Sequence, residues 1–425
     1  MKRIETPERL AQRLDRSVRR LGARKRVPHV VVGVESGDGS FRWAGAIGDA
    51  TPGGPPMRPD TPFFIASVTK LHIATAMMKL HERGRVRLGD PISVYLPAEL
   101  TKGLHRLGGA DRTDEITLRH LLGHATGLPD YLEERPRGSR SLLERVVQEG
   151  DRSWDIHDIV TIVRGLTPHF PPQALGGDRH RIRYSDTNYL LLIAVIEAVT
   201  GLSQHDVFED LLFRPLNLRH TWLPGHSEPR DRIEDPAAVW YRDRSLDIPQ
   251  AMSSFGDLYS TVEDTIAFLR ALTRGEVFDD PATLDLMTSR WTRFGFPRDM
   301  AALRTPGWPI QYGLGLMRFR FRIPRVRTPD GQVPELIGHS GSTGSWLFRC
   351  PQLDVLLSGT VNQATAGAVP FRFLPSLLSE IGKGHGLTGQ RRRPMVAQSS
   401  TVRWSCRVEL PPASFRSPHA GTGAP

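Results

Sequence analysis

The chain has 425 residues, 39% of them hydrophobic and 24% charged, a composition that supports a sizeable core and excludes disorder throughout. Its formal charge of +10 rests on fifty arginines against six lysines. Those arginines are scattered and often alternate with acids, and no recognition-helix, zinc-ligand or RNA-binding aromatic pattern accompanies them, so specific nucleic-acid binding is not expected. No run of eighteen apolar residues occurs, which predicts no membrane-spanning helix. The start of the chain is charged through residue 26 and lacks the apolar stretch of an export signal. That points to the cytoplasm, or to export if the true start lies elsewhere. Cys350 and Cys406 are the only cysteines, and they fit a reducing compartment or a protein without disulfides. Cys350 reads as a small buried hydrophobe.

In chain order, Ile4, Leu10, Leu14, Val18 and Leu21 share one face of an N-terminal amphipathic helix. Two strands near 29–34 and 41–45 flank Gly37-Asp38-Gly39 as a hairpin. A proline-rich connection, 51–62, leads to an apolar helix entered at Ser67. Helical segments separated by loops follow from about 95 to about 305, at 118–122, 141–148, 155–163, 189–199, 205–213 and 261–272. Strands resume near Gly313 and run to Thr360, and residues 371–381 read as a closing helix. Residues 383–425 are rich in Gly, Pro, Ser and Arg and read as a disordered basic tail. The division predicted is 1–95 with 305–382 as a discontinuous sheet domain, 96–304 as a helical insert, and 383–425 as tail.

Three stretches carry chemistry. The first is Ser67-Val68-Thr69-Lys70. On a helix, residues three apart share a face, so a serine hydroxyl and a lysine amine can meet. An amine can shed its proton and act as a base, whereas a guanidinium cannot. The same residues also suit a solvated helix start, with Ser67 as cap and Lys70 in water. The second stretch, Tyr184-Ser185-Asp186, precedes the apolar run 190–199. A phenol there can relay a proton, or it can pack on the core beside an aspartate cap. The third, His339-Ser340-Gly341-Ser342, lies in a strand followed by a glycine-rich turn. Gly341 allows close approach of another backbone or a ligand. The Ser342 N–H is a candidate oxyanion donor.

Taken in this order, the three stretches resemble the motifs of penicillin-recognising serine enzymes, the class C β-lactamase and D-Ala-D-Ala carboxypeptidase branch, which includes esterases and D-aminopeptidases. Asp186 stands where that family usually has asparagine. Further similarity lies in Leu121-Leu122-Gly123-His124-Ala125-Thr126-Gly127-Leu128-Pro129, in 258–264 and in Tyr312-Gly313-Leu314-Gly315-Leu316. The resemblance runs from about residue 28 to about 382. It implies an α/β (α+β) fold in which an antiparallel sheet from both chain ends is flanked by helices, with an inserted helical domain and the site in the cleft between. It implies Ser67 as nucleophile, a neutral Lys70 as its base and Tyr184 as proton donor. The N–H groups of Ser67 and Ser342 hold the oxyanion, with Gly341 and Asp186 beside them and His339 lending positive character. Asp186 is the open member, because an aspartate beside Lys70 would raise the pKa of the amine. His120 and His124 read as structural loop histidines rather than members of a triad.

The activity implied is hydrolysis of a small ester, amide or peptide through an acyl-enzyme, without metal or cofactor. A D-Ala-D-Ala carboxypeptidase, a β-lactamase and a non-hydrolytic penicillin-binding sensor are the alternatives. Substrate choice falls to loops such as 130–140 and 233–249, and the oligomeric state is not legible.

Overall fold

The computed structural model of the protein describes residues 6–175, 180–294, 310–320, 328 and 332–383. Among the described residues nine strands build the main sheet: β1 (His29–Ser36), β2 (Arg42–Gly48), β3 (Arg181–Ile182), β4 (Thr292–Phe294), β5 (Gln311–Tyr312), β6 (Met317–Arg320), β7 (Glu335–Ser340), β8 (Trp346–Cys350) and β9 (Val355–Thr360). Their spatial order is β2-β1-β9-β8-β7-β6-β5-β4-β3. The first and last parts of the chain therefore meet where β1 pairs with β9, Val31 opposite Thr360 and Ser36 opposite Val355. β1, His-Val-Val-Val-Gly-Val-Glu-Ser, is buried along its whole length, as a strand covered on both faces must be.

Helices cover both faces. Helix α1 (Pro7–Gly22) buries Leu10, Leu14, Val18 and Leu21 and packs on β1, β2 and the closing helix. Ile4 of the predicted face lies outside the described residues. The helix of residues Val262–Thr273 lies on the other face, against β1, β8 and β9. Gly33 makes that approach possible, since a Cβ there would sit 2.0 Å from Val262 Cγ1. The closing helix, Val369–Gly382, packs Phe373 against Trp346, ring centres 5.6 Å apart.

Most predicted helices begin at a cap whose side chain accepts a backbone N–H of the first turn. Thr117, Ser141, Asp155, Ser203 and Thr261 all do so. The apolar run after Tyr184 is the helix α3 (Asp186–Thr200), and α2 (Thr69–Glu82) packs against it.

The segment 96–304, expected to be helical, also feeds the sheet. β3 and β4 come from it and pair in parallel, at Arg293–Arg181 and Phe294–Ile182, in an otherwise antiparallel sheet. Two- and three-residue strands have no alternation of their own, and only the distant partner defines them. The helix of residues Val262–Thr273, within the same segment, covers the sheet as well. Of the predicted tail only Lys383 is described; residues 384–425, and with them Cys406, lie outside the described residues. No single helix among the described residues is long and apolar enough to cross a membrane.

Candidate active site

Ser67 sits in a one-turn 3-10 helix, Ala66–Val68, that runs directly into α2. Ala66 before it has φ +47°, the left-handed region, which costs a side-chain-bearing residue about 1 kcal/mol. Such a conformation persists only where its surroundings over-determine it, and here they do. Ile65 N donates to Leu258 O at 3.0 Å, Ser345 Oγ to Ile65 O at 2.7 Å and Thr343 Oγ1 to Phe64 O at 3.4 Å.

Gly341, one residue past β7, is the point of closest approach. A Cβ there would lie 2.8 Å from Ile65 O and 3.0 Å from Ala66 Cβ, so any side chain would push the serine turn aside. The next residue, Ser342, lines the same cleft as Ser67, and no acceptor among the described residues takes its N–H.

Lys70 Nζ donates to Ser67 Oγ at 3.2 Å and pairs with Asp186 Oδ1 at 2.5 Å. It lies 5.2 Å from the Tyr184 ring centre and 5.4 Å from that of Tyr189. The Tyr184 hydroxyl is buried and makes no hydrogen bond of full geometry, yet Ser67 and Lys70 are near enough to act on its pKa. The predicted residues Ser67, Lys70, Tyr184, Asp186, Gly341 and Ser342 thus converge from the Ser67 turn, α2, the start of α3 and the end of β7.

His339 is placed differently from the expectation. It is fully buried, with Nδ1 donating to Ser340 O at 2.8 Å. That fixes Nε2 as an acceptor for the Tyr312 hydroxyl at 3.0 Å. Burial, and then the charge of Lys70, push its pKa down to about 3. His339 is therefore a neutral buttress for Tyr312, not a positive charge offered to substrate.

Comparison with known proteins identifies the family. The sequence profile of the family described as beta-lactamase matches residues 14–372. The chain belongs to the β-lactamase family. It is 28% identical to esterase EstB of Burkholderia gladioli over 333 residues, covering 71% of this chain and 79% of that protein. It is 26% identical to penicillin-binding protein 4* of Bacillus subtilis over 231 residues, covering 52% of this chain but only 44% of that protein. Among solved structures, a D-stereospecific amidohydrolase from Streptomyces sp. superposes with a TM-score of 0.62 at 25% identity, over 86% of this chain and 98% of the other. The protein is a serine hydrolase of the β-lactamase family.

The charges of this family member depart from the expected ones at Lys70. Burial alone would lower the pKa of the amine, but Asp186 above all outweighs burial and holds it well above its ordinary value. The Asp186 carboxylate 2.5 Å away favours the ammonium form of Lys70, where the resemblance implied a neutral amine. Tyr184 is a neutral phenol; burial raises its pKa well above the ordinary value despite Lys70.

Sequence reasoning missed Asp130, Asp257 and the surroundings of His124. Asp130 accepts from the N–H groups of Asp186 (2.8 Å), Leu132 (2.9 Å) and Glu133 (3.0 Å), so it anchors the first turn of α3. Burial raises its pKa, and Asp186 adds to the effect. Burial likewise pushes Asp257 up to about 7. Each of these aspartates borders a stretch that carried the resemblance, 121–129 and 258–264, and that was the signal available.

His120 caps the turn of residues Leu118–Leu122, as a structural histidine would. His124 is fully buried, with φ +54°. Its Nδ1 receives Ser185 N–H at 3.3 Å and Asn188 Nδ2 at 3.1 Å, while Thr126 Oγ1 fixes the amide by donating to Asn188 Oδ1 at 2.7 Å. The ring lies 4.3 Å from that of Tyr184. It props the phenol from behind and belongs to no triad with Ser67. Among the described residues no cluster of His, Cys, Asp or Glu is arranged to hold a metal ion.

Proposed function

We propose that this protein hydrolyses small carboxylic esters through an acyl-enzyme on Ser67. The observation that carries the reading is the hydrogen bond from Lys70 Nζ to Ser67 Oγ, 3.2 Å, inside a cleft also lined by Ser342. Turnover draws on the fraction of molecules in which Lys70 has shed its proton. In that state the amine takes the Ser67 proton as Oγ attacks the acyl carbon. The N–H groups of Ser67 and Ser342 receive the oxyanion. Tyr184 protonates the leaving alkoxide and is reprotonated by the Lys70 ammonium, so the serine proton leaves with the alcohol. Water then attacks the acyl-serine, giving its proton to the same base, and the acid departs as Ser67 is restored.

The similarity to esterase EstB supports an ester over an amide as the first substrate to test. A second reading is retained because one observation favours it. A lysine held as ammonium by Asp186 slows deprotonation of the attacking water, so an acyl donor reactive enough to acylate Ser67 would stay attached, as in a protein that acylates without turning over. The experiment is hydrolysis of p-nitrophenyl butyrate by wild type and Ser67→Ala, with intact mass after incubation with a fluorescent penicillin. Turnover that disappears in Ser67→Ala supports the hydrolase. A stable penicillin adduct without ester turnover supports the sensor. Undiminished turnover in Ser67→Ala removes both.

A further inference from the structure

We propose that the cleft selects esters whose acyl group is longer than acetyl, apolar and uncharged; this rests on the assignment of Ser67 as nucleophile. The cleft beside Ser67 has a cavity volume of about 90 Å³, room for several water-sized groups and so for more than an acetyl group. Much of its lining is apolar: Leu143, Leu246, Ile248, Met252 and Phe255 all border it. Most of these come from one segment, the hairpin of Trp240–Tyr241 and Arg244–Ser245 followed by the helix of residues Pro249–Ser254. Its position is fixed from the sheet side, where Trp240 N donates to Asn362 O at 2.8 Å and Arg242 N to Gln363 Oε1 at 2.9 Å. A wall so attached is a preformed surface, the usual character of a small-molecule pocket.

The charges lining the cleft set the second half of the selection. Among its described lining residues the one cation is Lys70, already paired with Asp186. Glu133 and Asp257 line it as well. A carboxylate on the acyl group would enter a low-dielectric space with acids around it and its one cation engaged, which disfavours it on both desolvation and repulsion. An apolar chain exchanges water for Met252 and its neighbours and gains with every methylene.

The test uses the full chain and p-nitrophenyl esters from acetate to decanoate, with mono-p-nitrophenyl glutarate as the anionic counterpart of the valerate. Each methylene from acetate to hexanoate is expected to raise kcat/KM about threefold to fourfold, with a plateau once the cavity is filled. The glutarate is expected to fall at least tenfold below the valerate. Ile248→Trp, which fills the wall, should cut the hexanoate-to-acetate ratio at least tenfold. A flat or falling wild-type series overturns the apolar pocket whatever the variant does, and glutarate turnover equal to valerate overturns the exclusion of charge. Failure of every ester, with no labelling of Ser67 by an alkyl phosphonate, instead sinks the hydrolase reading and this inference with it.

Discussion

The two walls that meet at Ser67 are built on opposite principles. The sheet wall, residues 339–345, works through backbone shape. Gly341 permits contact with Ile65 and Ala66, Ser345 and Thr343 tie the serine turn down, and His339 is neutral. The helix wall, at the start of α3, works through charge. Asp186 pairs with Lys70, Asp130 anchors Asp186 N, and Asp257 adds to the field on the amine. The difference teaches which substitutions act as steric failures and which as shifts of a titration.

On the sheet wall, Gly341→Val should cost about 10²–10³ in kcat, the size of losing an oxyanion donor, together with a lowered melting temperature from overpacking of about 1–3 kcal/mol. Normal kcat in that variant would show that the serine turn is not held by this contact.

On the helix wall, Lys70→Arg should lose about as much as Lys70→Ala, each about 10³-fold, because a guanidinium stays protonated and cannot accept the Ser67 proton. An active arginine variant would show that only positive charge is needed there.

Asp186→Asn is the finer probe. The acid limb of kcat/KM against pH reports loss of the Lys70 proton, and Asp186 is the foremost of the charges holding that proton on. Removing its charge lowers the pKa of Lys70, so the limb moves to lower pH and activity below the wild-type limb rises. The wild type should accordingly work best on the alkaline side. A limb that stays in place, or moves up, separates Asp186 from the base.

Protein stability gives the smallest and broadest prediction. His72 and His339 have pKa values lowered to about 3 and His29 to about 4, chiefly by burial. The unfolded chain protonates these rings near 6.5, while the folded protein resists to well below that. Their contribution is complete above about pH 6.5 and is lost as pH falls towards 4 and 3, at up to about 1.4 kcal/mol per pH unit for each ring. The melting temperature should therefore drop steadily over that window, and less steeply in His72→Phe, since His72 stacks on Phe268 at 3.8 Å and a phenyl ring can do the same.

What the sequence made legible follows the same division. Gly341 and the Ser67–Lys70 spacing are constraints of shape and were readable from residue type and interval. So were the helices with side-chain caps and the apolar face of α1. The left-handed backbone at Ala66 was not, because alanine does not announce that conformation and the bonds enforcing it come from Leu258, Thr343 and Ser345. Protonation states were not legible either. Whether Lys70 is charged and His339 neutral depends on which groups fold around them, and Asp257 stands 187 positions after Lys70 in the chain. The parallel pairing of β3 and β4 was hidden for the same reason, since each strand exists only by virtue of the other.

The most direct test of the central claim is intact-mass and peptide-mapping spectrometry of the full chain, quenched in acid while it turns over p-nitrophenyl hexanoate. The account predicts a gain of one hexanoyl group on the peptide carrying Ser67, decaying as substrate is exhausted and missing in Ser67→Ala. Turnover with the acyl group on another residue, or undiminished in Ser67→Ala, would contradict it.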